Sequence, residues 1–272
     1  MIVHLSKIDR LFGLSHRSLL KNNTTNIKII NKVDNFLEKY CYFFNITPKE
    51  VASIVNKFQK RYAKDVKRYF DTGKYPHELN VDEFLLSREE YDVVLLCSIL
   101  TSSHRHKIIN RINLMSLYDN KIAVIGVGSG VELLFINASN THIDAYDLSI
   151  SDFAKKTFCN VNFFEHEFRS SNCNYNVVYA IEILEHLKNP FLLLREIYDS
   201  LAIGGKCVFT TTTNVPQFDH LYDFKVKELA IELSKIGFKI SDYEILKHES
   251  NFANIDASNA FFIVEKFELW NT

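Results

Sequence analysis

The chain has 272 residues, 47% hydrophobic and 24% charged, the composition of an ordered globular protein rather than a disordered one. Its formal net charge is -1, divided between a basic first 120 residues (19 Lys and Arg against 13 Asp and Glu) and an acidic remainder (13 against 20), so the whole carries no basic excess that would make nucleic acid its default partner. Five cysteines (Cys41, Cys97, Cys159, Cys173, Cys207) form no CxxC pair, the opening MIVHLSKIDRLFGLSHR lacks a signal-type apolar run, and the apolar stretch 93–100 is too short to span a bilayer; these features predict a soluble cytoplasmic protein without a disulfide framework or membrane span.

Residues 1–118 show apolar spacing of helical period and no strand-like alternation. One segment covers 27–44, a second starts at Thr47-Pro48-Lys49-Glu50, and a third follows Ser87-Arg88-Glu89-Glu90. Both tetrads fit a capping box, in which a hydroxyl accepts the third residue's backbone N–H while Glu reaches back, and Pro48 suits the first helical position. A helical N-terminal domain over 1–118 is expected, with a turn at 71–76. From Lys121 the pattern alternates: strands over 121–125, 142–146, 161–164, 176–181, 206–211, 238–246 and 260–267, with helices over 131–138, 152–157, 190–201 and 224–236. Asn189-Pro190 reads as a helix cap and Gly204-Gly205 as a helix stop. The repeating units predict an α/β fold, a doubly wound, mostly parallel seven-stranded sheet covered on both faces and closed by an antiparallel hairpin at one edge.

The run KIAVIGVGSGVELL, residues 121–134, leaves a buried strand through Gly126, Gly128 and Gly130. In such a sheet ligands bind beyond the carboxyl ends of the strands, where strand order reverses. Counting from Gly126, the sixth position is Val131, so the dinucleotide fingerprint G-x-G-x-x-G fails, and no Gly-Lys-Ser/Thr follows to make a P-loop. Asp147, about twenty residues on at the end of the second strand, is placed to accept from both hydroxyls of a ribose.

VIGVGSG, Asp147, His166-Glu167-Phe168 and NVVYAIEILEHLKNP together resemble the class I S-adenosylmethionine-dependent methyltransferases over about residues 119–268. The resemblance implies a Rossmann-like domain over 119–272 with S-adenosylmethionine as cofactor. Gly126, Gly128 and Gly130 would admit its methionyl part, Asp147 with Leu148 its ribose side, Glu167 and Phe168 its adenine, and backbone from Ala180 through Ile181 to Glu182 the sulfonium. Two departures stand out: Val124 replaces the acid usual two residues before the first glycine, and Asn176 the Asp that commonly opens the fourth strand.

A lid role is expected for the helical domain, contributing Tyr91 and Arg105 toward a small polar substrate, with Ser102 to His106 as a polar patch. The loop TTTTNVPQFDHLYDF adds Asn214, Gln217 and Tyr222 as substrate contacts and His220 as general base, with Glu182 as the second catalytic candidate. The leading reading is methyl transfer to an N or O atom. Others are attack at the aminocarboxypropyl carbon, a non-catalytic partner-binding subunit (a homodimer is one assembly the sequence allows), and a metal-dependent RNA 2′-O-methyltransferase, since Glu182, Glu185, His186 and His220 loosely resemble that cluster. The plainer account of Glu-x-x-Glu-His is a post-strand motif of small-molecule methyltransferases, so no metal is expected.

Overall fold

Thr47 and Ser87 cap their helices as their spacing predicts. Each hydroxyl accepts the Glu backbone N–H three residues on (3.3 and 3.2 Å), and each Glu carboxylate accepts the cap residue's N–H (2.7 and 2.9 Å). The computed structural model describes residues 1–22, 25–79, 86–115, 121–136, 142–170, 173–248 and 255–267. Its first part is helical: α1 (Ile2–Ile8), α2 (Arg10–Lys21), α3 (Ile27–Phe43), α4 (Pro48–Thr72), α5 (Arg88–Thr101) and α6 (Ser103–Leu114). A break at Ser102 separates α5 from α6 and turns the expected polar patch inward, so Ser103, Arg105 and His106 are buried.

The strands are β1 (Lys121–Ile125), β2 (His142–Asp147), β3 (Val161–Glu165), β4 (Tyr175–Ile181), β5 (Leu201–Thr213), β6 (Phe238–Lys247) and β7 (Ser258–Lys266), with α7 (Asp152–Thr157), α8 (Pro190–Ser200) and α9 (Val226–Ile236) between them. They form one seven-stranded sheet in the order β3-β2-β1-β4-β5-β7-β6, parallel except for β7, which runs antiparallel to β5 and β6. Strand order reverses between β1 and β4. Alternation along β1 builds two cores: Ile122 and Val124 join the N-terminal helices and α7, while Ala123 and Ile125 join α8 and α9 on the other face. The N-terminal helices therefore cover one face of the sheet and share its core; the expected boundary at 118/119 lies outside the described residues.

Two local expectations change. The predicted helix 131–138 is a single 3₁₀ turn, Glu132–Leu134, among the described residues, and 137–138 lie outside them. Val131, Leu133, Phe135 and Ile136 are all buried, and this spacing leaves no polar face for an amphipathic helix. Gly204 and Gly205 do not stop a helix: α8 ends at Ser200, and the glycines sit inside β5 where its pairing with β4 jumps from Tyr175↔Leu201 to Val177↔Lys206.

Candidate active site

The carboxyl ends of β1, β2, β4 and β5 open into a cavity of about 650 Å³, roofed by α2, α4, α5 and the start of α6. That volume is within the usual range for a small-molecule site. At its floor the glycine turn is tied to β2: Gly126 N–H donates to the Tyr146 carbonyl (2.8 Å) and Gly128 N–H to Asp147 Oδ2 (2.9 Å). Asp147 Oδ1 accepts from Ser149 N–H (3.2 Å). Gly128 has φ +49, and a Cβ there would stand 2.7 Å from the Arg88 guanidinium, so the turn presents bare backbone toward the cavity. Gly130 works differently. Its Cβ would meet Ala154 and Phe158 at 3.0 and 3.1 Å, and it does not line the cavity; it is a close-packing position against α7 and its C-terminal flank.

The cradle fits an adenosine-bearing sulfonium compound: bare backbone at Gly126 and Gly128, with a carboxylate fixed beside them. Arg88, from the first turn of α5, lies against it, 3.9 Å from Asp147 Oδ1 and 3.2 Å from Asp92 Oδ1. Asp92 is fully buried and also accepts from Tyr40 Oη (3.0 Å); burial pushes its carboxyl up to about 6, against the pull of Arg88.

Across the cavity, Glu182 has φ +50, a left-handed conformation unusual for a non-glycine residue, held by its N–H donating to Thr210 O (3.2 Å) and Oγ1 (3.0 Å). Its carboxylate pairs with Arg105 and accepts from Asn259 Nδ2 (2.5 Å), whose Oδ1 meets His248 Nε2 (2.5 Å); His248 stacks on His104 with centroids 3.7 Å apart. Glu182, a catalytic candidate from the sequence, is thus paired with Arg105 and Asn259 at the cavity wall. Burial lowers the pKa of Arg105, while Glu132, Tyr91 and Glu185 oppose it; burial likewise raises that of Glu132.

Glu185, His186 and His220 converge, their ligand atoms all within 4.8 Å of one another. Glu185 Oε2 accepts from Thr211 Oγ1 (3.1 Å). The Nδ1 atoms of His220 and His186 meet the carbonyls of Val215 (2.8 Å) and Asp219 (3.1 Å). A carbonyl only accepts, which assigns the proton to each Nδ1 and leaves each Nε2 with a lone pair. The loop after β5 is pinned there by Leu221 and Tyr222 N–H donating to the Glu185 carbonyl (2.7 and 3.1 Å). Such a set can receive a proton or hold a metal ion.

Of the residues expected at the site, Gly126, Gly128, Asp147, Ile181, Glu182, Tyr91, Arg105, Gln217 and His220 line this cavity. Tyr91 Oη and Gln217 Nε2 both donate to Asp219 (3.1 and 2.7 Å). Others do not line it. Glu167 pairs with Arg169 on the surface, and Phe168 is buried edge-on to Tyr146 in the opposite core, so neither side chain faces the cavity. Asn214 spends its amide on the Asp256 carbonyl (3.3 Å), and Tyr222 packs against Phe191 and Phe224. Leu148 stands 73% exposed beside Asp147, outside the enclosed space. His104, from the expected polar patch, lines the cavity too, while Arg88, Glu132, His248 and Asn259 line it and were not foreseen. Arg88 had a signal: a cation in a helix's first turn opposes the macrodipole and calls for another reason to be there.

The sequence profile of the methyltransferase domain matches residues 104–255. No curated protein sequence matches the chain. Among solved structures, the pyocyanin biosynthetic protein PhzM is similar at 13% identity and TM-score 0.58, over 79% of this chain and 72% of that one. The 1,6-didemethyltoxoflavin-N1-methyltransferase of Burkholderia thailandensis, solved with its substrate and S-adenosylhomocysteine, is similar at 15% identity and TM-score 0.50, over 69% and 94%. The [4+2]-cyclase SpnF is similar at 16% identity and TM-score 0.50, over 60% and 82%. With the profile covering more than half of its length, the chain belongs to the methyltransferase-domain family and is an S-adenosylmethionine-dependent methyltransferase of class I fold.

Proposed function

We propose that this enzyme methylates an N or O atom of a small polar molecule held beneath its N-terminal helices. The observation that carries the reading is the meeting, in one cavity, of the Gly126–Gly128 turn with Asp147 and the Glu185–His186–His220 group, in which Glu185 and His220 are buried and His186 partly so. Bound S-adenosylmethionine supplies a methyl carbon made electrophilic by its sulfonium. Asp147 takes the ribose hydroxyls, and exposed Leu148 offers an apolar surface to the adenine. The acceptor's heteroatom would give its proton to the Glu185–His186–His220 group as it bonds the methyl carbon, whose bond to sulfur would break with the electron pair kept by sulfur. Helices α4 and α5 act as a lid that excludes water, with Tyr91 and Gln217 orienting the acceptor through Asp219.

Five free cysteines support a reducing compartment, and no helix among the described residues is long and apolar enough to cross a membrane. The test is mass spectrometry of products after incubation with cofactor and candidate acceptors. S-adenosylhomocysteine with a methylated acceptor is expected; methylthioadenosine would transfer the reading to aminocarboxypropyl chemistry, a question for the site rather than the fold.

The converging lone pairs favour a second, metal-assisted version, in which Glu185, His186 and His220 hold a divalent cation that polarises the acceptor oxygen. Dialysis against a chelator decides: activity lost and restored by a divalent cation supports it, and full activity without metal removes it.

A further inference from the structure

The first two helices carry more apolar side chain outward than a solvent face needs. Of the sixteen large hydrophobic residues that stand exposed among the described residues, five (Val3, Ile8, Leu11, Leu14 and Leu20) fall in α1 and α2. Single exposed residues of this kind are ordinary, whereas a concentration marks a contact surface. On α2 the pattern is periodic. Arg10, Leu11, Leu14, Arg17, Ser18 and Lys21 share about a third of the helix circumference and are all exposed, while Phe12, His16 and Leu19 on the other side are buried.

The charges on this face have one sign. Lys7, Arg10, Arg17 and Lys21 are exposed, and none of them pairs with an acid among the described residues. The acid of these two helices' junction, Asp9, is 7% exposed and spends its carboxylate on Phe12 N–H (3.0 Å) and Asn56 Nδ2 (2.8 Å). Leucines framed by unpaired cations complement a layer that is anionic outside and apolar beneath, as lipid headgroups over acyl chains are. A nucleic acid would meet the cations but leave the leucines without apolar contact. A second copy of the chain, related by a two-fold axis, would set these cations against themselves.

The cavity opens on the same face. Of the described residues that line it, Ser18 of α2 and Gln59 of α4 are the exposed ones, which places its mouth between these helices, one turn of α2 from Leu14 and beside Arg17.

We infer that the outer face of α2, extended by α1, docks this enzyme on an anionic lipid bilayer with the mouth of its cavity turned toward the headgroups. The contact is peripheral: Leu11 and Leu14 enter the interface while Arg10, Arg17 and Lys21 meet lipid phosphates. The docking goes beyond the methyltransferase reading and stands without it; only delivery of an acceptor from the membrane surface into the cavity rests on that reading.

The test is co-sedimentation of the full-length protein with vesicles of phosphatidylcholine alone and of phosphatidylcholine mixed with phosphatidylglycerol. The mixed vesicles should bind about tenfold or more tightly, and raised salt should weaken that binding, since each cation near an anionic surface strengthens it about fivefold. R17E/K21E should lower it about 100-fold or more, and L11S/L14S about tenfold with the salt dependence retained. K188E/K227E, at the helices on the opposite face of the sheet, should bind like the natural sequence. All these side chains are exposed and none lines the cavity, so thermal unfolding and calorimetric affinity for S-adenosylmethionine should be unchanged in every variant. Equal binding to both vesicles, or binding untouched by R17E/K21E or by L11S/L14S, overturns the inference. So does a dimer in size-exclusion chromatography that L11S/L14S abolishes, or duplex DNA held through Arg17 and Lys21 with the leucines irrelevant, because each gives the face another occupant. Failure of the natural protein to bind S-adenosylmethionine sinks the methyltransferase reading instead and leaves the vesicle result to judge the docking alone.

Discussion

The two ends of the cavity are built by different means. At the cofactor end, positions adjacent in sequence or one strand apart do the work: a glycine turn, its backbone N–H groups, and Asp147 in register beside them. At the acceptor end, single side chains arrive from far apart: Arg105 from α6, Glu182 and Glu185 after β4, His220 after β5, and Asn259 from β7. Main chain makes a site that any sequence with the right glycines can keep, whereas converging side chains make one that each new substrate can rewrite. Substitutions at the first end should therefore act on cofactor affinity with little effect on the fold, and those at the second on stability and acceptor use together.

The largest separation comes from Asp147→Ala. The ribose hydroxyls lose a charge-assisted partner on both oxygens, so affinity for S-adenosylmethionine should fall by about 100-fold or more. Calorimetry checks it, and an unchanged dissociation constant would end the cofactor assignment. At the other end, Arg105→Ala leaves the partly buried Glu182 without its cation and should lower stability by roughly 2 kcal/mol in denaturant unfolding. Adding Glu182→Gln should recover part of that loss, since the stranded charge is removed; a double variant no better than the single one would show that Glu182 is not what Arg105 neutralises.

The same contrast explains what the sequence disclosed. Every strand was legible in place, because β1, β4, β5 and β7 carry apolar runs and β2, β3 and β6 interleave apolar with polar residues, and the capping boxes at Thr47 and Ser87 fixed two helix starts. Asp147 and the glycines were legible because their spacing is local. Glu182 was a catalytic candidate within the stretch after β4; its pairing with Arg105 and Asn259, 77 residues away in the case of Asn259, has no local signature. Phe168 was expected against the adenine only through the resemblance to the methyltransferase family, and in this chain Tyr146 and Tyr175 hold it in the core. The predicted helix at 131–138 failed for a related reason, since its residues were wanted by the core on several sides at once.

Asp92 links the cofactor end to the N-terminal helices and should give a smaller, pH-dependent effect. Its folded pKa of about 6 lies above the ordinary carboxylate value of 3.8, so stability is greatest while Asp92 is protonated and declines as pH rises from about 4 through 6. The shift corresponds to up to about 2 kcal/mol once its coupling to Arg88 is discounted. Asp92→Asn should flatten that part of the profile; midpoints of urea unfolding at pH 4.5 and 7.5, compared between the two proteins, measure it, and parallel profiles would place the strain elsewhere.

The finest test divides the glycine turn itself. Gly128 faces the cavity, whereas Gly130, with φ +80, presses on Ala154 and Phe158. Gly130→Ala adds a methyl in a strained backbone conformation against two fixed neighbours, for a stability loss of about 1–2 kcal/mol. Because Gly130 lies outside the cavity, the affinity of the folded fraction for S-adenosylmethionine should stay within a few-fold. Gly128→Ala strains the left-handed backbone as well (φ +49), but its new methyl meets only the far end of Arg88 and occupies space that the cofactor needs, so it should weaken binding in addition to stability. If Gly130→Ala instead weakened binding as much as Gly128→Ala, the turn would have to act as one rigid unit, and the division between packing and binding glycines would fail.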